Sequence, residues 1–363
     1  MADRTQDSVA LWTLLVPVLA LGLIALKFAD LVSTSAPAIL GLAVVLLGAS
    51  VFAAVHHAEV LALKLGEPFG SILLAVAVTV IEVALIVTIL LSEAPGSQAV
   101  ARDTVYSAVM IVLNGVIGLC LVMGGRRHYQ QTFQVDGASA TLAVLGTLAV
   151  FALIMPNFTD STRTPDYAPV QLVVVGAVSL ALYVVFVFVQ AVRHRDYFVD
   201  ATTAKTGHAA PSSAVSAASA VLLLAALAAV VVLAKLLSEP LSLGVIKAGL
   251  PVSFVGVVIA MVVLLPEGIA AVKAALSNRL QGSINLALGS AVASIGLTIP
   301  TVALVSLIFD MPLILGLSDE DMVLLMLTLF AATLTLGTGR TTVLQGAVHL
   351  VIFSVFLLLS VIP

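Results

Sequence analysis

Long, unbroken apolar runs decide what this chain can fold into. A helix that crosses a bilayer needs about 20 mostly apolar residues. The sequence holds eleven such runs, at 11–29, 37–62, 70–91, 104–124, 138–156, 169–191, 214–236, 249–275, 283–309, 321–338 and 343–362. They do not alternate, so they read as helices; barrel strands would alternate apolar and polar over about ten residues. Of 363 residues, 61% are hydrophobic and only 9% charged, against about 25% charged in a soluble domain. No single water-facing core buries that much apolar surface, so lipid is the expected solvent for most of the chain. No basic stripe interleaves with aromatics, which argues against nucleic acid as a partner. Arg4 stands against Asp3 and Asp7, a poor positive segment for a signal peptide, and run 11–29 exceeds the usual signal core. It is expected to persist as a first span. The single cysteine, Cys120, lies within an apolar run and reads as a small packing residue.

Lys and Arg set the orientation, because cytoplasmic loops carry an excess of both. With the N-terminus inside and the spans alternating, Arg4, Lys64, Arg126, Arg127, Arg193, Arg195, Lys205, Lys273, Arg279 and Arg340 fall inside. Lys27, Arg102, Arg163, Lys235 and Lys247 fall outside. The two-to-one bias predicts an inside N-terminus and an outside C-terminus. The longest polar stretch, VRHRDYFVDATTAKTGHAAPSS at 192–213, lies near the middle of the chain. It divides the sequence into residues 1–36 (an N-terminal segment with the first span), 37–191, a cytoplasmic linker at 192–213, and 214–363. Five spans precede the linker after the first, and five follow it. An odd number per half makes the second half enter with opposite polarity, the condition for an inverted-topology repeat. The expected fold is therefore an all-α polytopic membrane protein: one leading helix and two inverted five-helix repeats.

Within this frame one carboxylate is out of place. The segment TVIEVALIV (79–87) carries Glu82 where no other charge occurs between Gly70 and Leu91. The corresponding run of the second half carries LLPEG (264–268), and Glu267 is its acid. A charge at the centre of a membrane helix costs about 2.5–3.5 kcal/mol on insertion scales. Two such acids in corresponding places of opposed halves point to an ion pathway rather than to structure. Thr79 lies one turn before Glu82 on the same face. Pro266 and Gly268 flank Glu267, where backbone carbonyls can be freed as ligands. Ser107, Asn114 and Gly118 share a face of the fourth span; Ser290, Ser294 and Thr298 follow in steps of four on the ninth. Helix packing is the alternative use of the small hydroxyls, but a buried Asn114 is costlier and points to function. Carboxylate, hydroxyl, amide and carbonyl oxygens are hard ligands, suited to Ca²⁺, Mg²⁺, Na⁺ or H⁺. Candidate cation ligands are thus Glu82, Glu267, Thr79, Asn114, Ser290 and Ser294. A proton and a cation compete for the same carboxylates, which suffices for obligatory exchange when the empty charged site cannot reorient. His56, His57 and Glu59 sit together on the second span. They are candidates for gating or proton relay, with a polar helix end reaching interfacial water as the alternative. A zinc site would need three or four ligands, and H-E-x-x-H is absent. His349 shows no partner in the sequence and receives no role here.

Four segments together resemble the calcium/cation antiporter superfamily, and within it the bacterial ChaA-type cation/proton exchangers. They are LGEPFGSILLAVAVTVIEVALIV (65–87), RDTVYSAVMIVLNGVIGLCLVMGG (102–125), LLPEGIAAVKAALSNRLQGSINLALGSAVASIGLTIP (264–300) and GRTTVLQGAVHLVIF (339–353). The resemblance implies two inverted repeats, each with an essential acid in its first core helix, matching Glu82 and Glu267. It implies a core of the third, fourth, eighth and ninth spans, with the second and seventh moving as a gating pair. It also implies a bacterial inner-membrane antiporter that exports Ca²⁺, or Na⁺ and K⁺, in exchange for H⁺, without a cofactor. The chain departs from the wider calcium exchangers at specific places. Their Gly-Asn before each acid reads Val78-Thr79-Val80-Ile81 and Val263-Leu264-Leu265-Pro266 here, and the glutamine of the second repeat is replaced by Ala293. A looser ligand set fits the broader specificity of ChaA-type proteins. An intramembrane enzyme is the rival from another class, but Cys120 has no neighbouring His and only a pair of separated acids remains. A passive channel is a third reading, opposed by two coupled acids.

Overall fold

The computed structural model describes residues 10–32, 36–66, 69–92, 96–162, 164–198 and 211–363. Among these the apolar runs fold as helices: α1 Leu11–Phe28, α2 Pro37–Leu65, α3 Phe69–Leu90, α4 Ser97–His128, α5 Val135–Phe158, α6 Pro169–Arg193, α7 Ser213–Lys247, α8 Phe254–Leu276, α9 Leu280–Phe309, α10 Asp319–Leu336 and α11 Val343–Val361. Ten of the eleven are long and apolar enough to cross a membrane. The exception, α10, opens with Asp319, Glu320 and Asp321. Those acids suit a helix N-terminus, where the macrodipole favours negative charge. Ser318 caps the same end, accepting from the Asp321 amide and donating to Asp321 Oδ2 at 2.9 Å. Arg102 Nη1, near the start of α4, donates to the Gly316 carbonyl just before α10. Past the other ends of both helices, β1 (Gln131–Thr132) pairs antiparallel with β2 (Arg340–Thr341). The helix α10 therefore runs beside α4.

Two helices extend well past the bounds read in sequence. Run 214–236 stops at Lys235 and Glu239, yet α7 continues to Lys247 through Pro240. Charged residues end a hydropathy run, not a helix, and an internal proline removes one backbone hydrogen bond without forbidding the next turn. The fourth run, 104–124, extends as α4 from Ser97 to His128, with Arg126, Arg127 and His128 in its last turn, where cations favour the helix C-terminus. Of the expected linker 192–213, residues 199–210 lie outside the described residues. Its first part is docked: Gln281 Nε2 and Asn285 Nδ2 on α9 donate to the carbonyls of Tyr197 and Phe198.

The chain forms two compact units that cut across the two sequence halves. The first comprises residues 1–94 and 207–244, the second 95–206 and 245–363. In the first, Ala20, Leu23 and Ile24 of α1 pack with Ala43 and Leu46 of α2 and Ala229, Leu233 and Leu237 of α7. Lys64 Nζ donates to the Pro211 carbonyl at 3.0 Å and fastens the end of α2 to the residues before α7.

In the second unit, small residues bring helices into close contact, as packing without a hydrophobic drive in lipid requires. A methyl at Gly256 of α8 would stand 2.6 Å from the Asp103 carbonyl carbon and 2.7 Å from the Thr104 amide nitrogen of α4. A methyl at Gly346 of α11 would stand 2.7 Å from the Val122 amide nitrogen, again on α4. Both helices lean directly on the α4 backbone. Between these contacts α4 departs from regular geometry, with a π-helical turn at Ile111–Val116. Such turns recur at functional positions.

Candidate cation-binding site

The two glutamates face protein rather than lipid. On α3 the buried residues Val78, Thr79, Ile81, Glu82, Leu85, Ile86 and Ile89 form one stripe, with Glu82 4% exposed, while Val80 is 46% exposed. On α8 the stripe runs through Gly256, Ala260, Val263, Leu264, Glu267, Ala271 and Ala275, with Glu267 8% exposed, while Met261, Leu265 and Ile269 face outward. Helical periodicity thus turns both acids inward. This is the placement expected of a functional intramembrane charge.

The structure divides the candidate ligands between the two units. Thr79 and Glu82 belong to the first, and Glu267, Ser290, Ser294 and Asn114 to the second. In the first unit, Thr79 Oγ1 donates to the Ala75 carbonyl at 2.9 Å. That local bond leaves the hydroxyl oxygen's lone pairs for a ligand. In the second unit, Ser290 Oγ donates to Glu267 Oε2 at 2.5 Å. The pair spans α8 and α9 and is brought together from 23 residues apart. Pro266 contributes no amide hydrogen, so the Val262 carbonyl one turn earlier lacks its usual helical donor. A carboxylate, a hydroxyl and this carbonyl therefore belong to one stretch of the bundle. One helical turn beyond Ser290, Ser294 is 1% exposed, and Thr298 is fully buried with its Oγ1 making no protein hydrogen bond. Replacing Ser290 with alanine is expected to raise the apparent KM for the cation by about 3- to 10-fold with unchanged protein yield. Initial rates of uptake against cation concentration measure this.

Asn114 belongs to the same unit, inside the π-helical turn of α4 and fully buried. Its Nδ2 donates to Thr328 Oγ1 of α10 at 2.9 Å, and its Oδ1 meets His349 Nδ1 of α11 at 3.0 Å. His349 Nε2 meets Thr335 Oγ1 at 3.1 Å. The sequence gives His349 no partner because 235 residues separate it from Asn114. The available signal was the ionisable side chain itself within an apolar span.

The histidine pair of α2 points to the first helix. His57 Nε2 meets the Thr13 carbonyl at 3.2 Å, and Trp12 packs against His56 with ring centroids 5.8 Å apart. His57 is fully buried, whereas Glu59 is exposed. All three lie inside α2, which continues to Leu65, rather than at its end. Among the described residues, no three His, Cys, Asp or Glu side chains converge to hold a metal ion. A cation taken up here would rely on neutral oxygens as well as carboxylates.

A bundle of membrane-length helices with two interior glutamates has the make-up of an ion carrier. The sodium/calcium exchanger protein family matches residues 35–192 and 218–362. The chain belongs to this family, and it is a multi-pass membrane protein that exchanges cations, not an enzyme. It is 56% identical over 358 residues to y4hA of Sinorhizobium fredii, covering 98% of this chain and 97% of that one; y4hA carries a provisional assignment as an ionic transporter. It is 34% identical over 351 residues to the sodium-potassium/proton antiporter ChaA of Escherichia coli, covering 95% of each chain. Its fold is similar to that of YfkE, with a TM-score of 0.74 over 97% of this chain and 100% of that one, at 16% identity. YfkE is described as a Ca²⁺/H⁺ antiporter.

Proposed function

We propose that the protein is a proton-coupled antiporter that exports Ca²⁺ from the bacterial cytoplasm. Glu82 and Glu267 take cation or protons in competition. The observation that carries this reading is the burial of both glutamates on the inward stripes of α3 and α8. One divalent ion neutralises two carboxylates, and so do two protons. Charge balance thus permits exchange of one for the other, while the unoccupied state keeps two charges away from water at high cost. Thr79, Ser290, Ser294 and Asn114 are assigned as neutral oxygen ligands, and the bond from Ser290 to Glu267 supports the first such pairing. Residues 37–191 and 214–363 are taken as inverted repeats around the linker, in the inner membrane, with the N-terminus inside and the C-terminus outside. His56, His57 and Glu59 are assigned to gating or proton relay on α2, and the contacts of the two histidines with α1 support a coupled role.

A second reading, exchange of Na⁺ and K⁺ for H⁺ on the same scaffold, is favoured by the 34% identity to ChaA. The discriminating experiment is flux in proteoliposomes under an imposed pH gradient, with Ca²⁺, Na⁺ and K⁺ compared at equal ionic strength. Ca²⁺ is expected to be transported at the lowest concentration and to suppress Na⁺ flux. Na⁺ and K⁺ flux indifferent to Ca²⁺ would establish the second reading instead.

A further inference from the structure

The chain of hydrogen bonds from α10 through α4 to α11 has a direction. An asparagine amide offers a carbonyl oxygen on one side and an amine on the other. A half-turn about its last torsion exchanges a cation ligand for a group that repels cations. Thr328 Oγ1 donates its one proton to the Met110 sulfur at 3.4 Å, so toward Asn114 it accepts, and the amine faces it. His349 meets the other side. A ring nitrogen that carries a proton bonds only an oxygen, so a proton on Nδ1 admits Oδ1 and excludes the amine. Thr335 Oγ1 lies 3.1 Å from Nε2 and can donate to that nitrogen when the proton sits on Nδ1. Every member is buried: Asn114 and Thr328 fully, His349 to 1% exposure and Thr335 to 4%. Water does not compete for these bonds.

The backbone is built to permit this arrangement. Gly346 lies one turn before His349 and brings α11 against α4. At Gly118, one turn after Asn114, a methyl would stand 3.2 Å from His349 Cβ and 3.1 Å from Leu350. The π-helical turn supplies the extra residue that re-aims Asn114 within α4.

We propose that His349, held by Thr335, is a positioning residue that fixes which face of the Asn114 amide is presented, and so tunes cation selectivity. The inference rests on the assignment of Asn114 as a cation ligand. It goes beyond that assignment by placing the control of the ligand on the last helix.

Conservative substitutions separate this role from mere packing. In His349→Asn, the side-chain amine takes the position of Nδ1 and retains the donor to Asn114. In His349→Gln, the longer amide reaches the position of Nε2 and retains only Thr335. Uptake kinetics in proteoliposomes, measured for Ca²⁺, Na⁺ and K⁺, read the difference. His349→Gln and His349→Leu are expected to raise the apparent KM for the preferred cation about tenfold, with kcat within about twofold and altered ratios among the three ions. His349→Asn is expected to stay within about threefold of wild type. Equal kinetics for Asn and Gln variants, or loss of kcat at constant KM in all three, would overturn the proposal. So would Asn114→Ala with unchanged KM for every ion. Proton-driven exchange that fails in Glu82→Gln and Glu267→Gln but stays normal in His349→Gln would remove this inference alone and leave the glutamates in place.

Discussion

Glu267→Gln and Glu82→Gln are each expected to abolish cation/proton exchange while leaving the protein in the membrane at normal yield. Glutamine keeps the size and polarity of the side chain but cannot cycle between charge and proton. Ser290 can still bond to an amide oxygen at position 267, so the α8–α9 contact survives the change. Neutralising a buried acid also removes an insertion cost of about 2.5–3.5 kcal/mol, so folding should not suffer. Transport falls because a cation meets one carboxylate fewer and no proton can replace it. Flux in proteoliposomes, with yield and monodispersity recorded in parallel, checks this. Robust proton-driven exchange by either variant would remove that glutamate from the mechanism.

The second large effect is structural. Gly256→Val is expected to destabilise the second unit by about 3 kcal/mol or more, beyond the usual range for overpacking. The obstacle is the α4 backbone at Asp103 and Thr104, with approaches of 2.6 and 2.7 Å. Backbone cannot step aside as the end of a flexible side chain can. Gly346→Val should behave similarly, because its obstacle is the Val122 amide nitrogen. Thermal unfolding in detergent measures both. Gly244, where a methyl would meet nothing within 4 Å, is the control and should tolerate alanine.

Helices and their inward faces are legible in a sequence of this kind because lipid enforces them. Backbone groups must bond within each segment, so an apolar run of membrane length leaves little choice but a helix. The inward orientation of Glu82 and Glu267 follows from the cost of the alternative. The end of α7 is not legible in the same way, since Lys235 and Glu239 mark where lipid ends rather than where the helix ends. The start of α10 misleads in the other direction. Its three acids depress hydropathy but stabilise the helix N-terminus.

The candidate site divides along similar lines. Glu267 and Ser290 stand out in sequence as an acid in an apolar run and a small hydroxyl on the neighbouring span. Their bond follows from the short α8–α9 connection. The network of Asn114, Thr328, Thr335 and His349 is different. Its residues come from α4, α10 and α11, and no periodicity announces which faces of distant helices meet. Asn114 and His349 stand out as polar groups in apolar runs, but the glycines at Gly118 and Gly346 say only that something approaches closely, without saying what. The two-residue pairing of Gln131–Thr132 with Arg340–Thr341 is equally silent in sequence. It is too short to produce an alternating pattern.

The central claim is that cation movement is coupled to protons. Its most direct test is Ca²⁺ accumulation in proteoliposomes loaded at acid pH and diluted into alkaline buffer, with and without an ionophore that dissipates the pH gradient. Accumulation against the Ca²⁺ gradient is expected, collapsing when the pH gradient is removed, with Na⁺ and K⁺ run alongside in place of Ca²⁺. Flux that only runs down each cation's own gradient, and at the same rate with the pH gradient abolished, would contradict it.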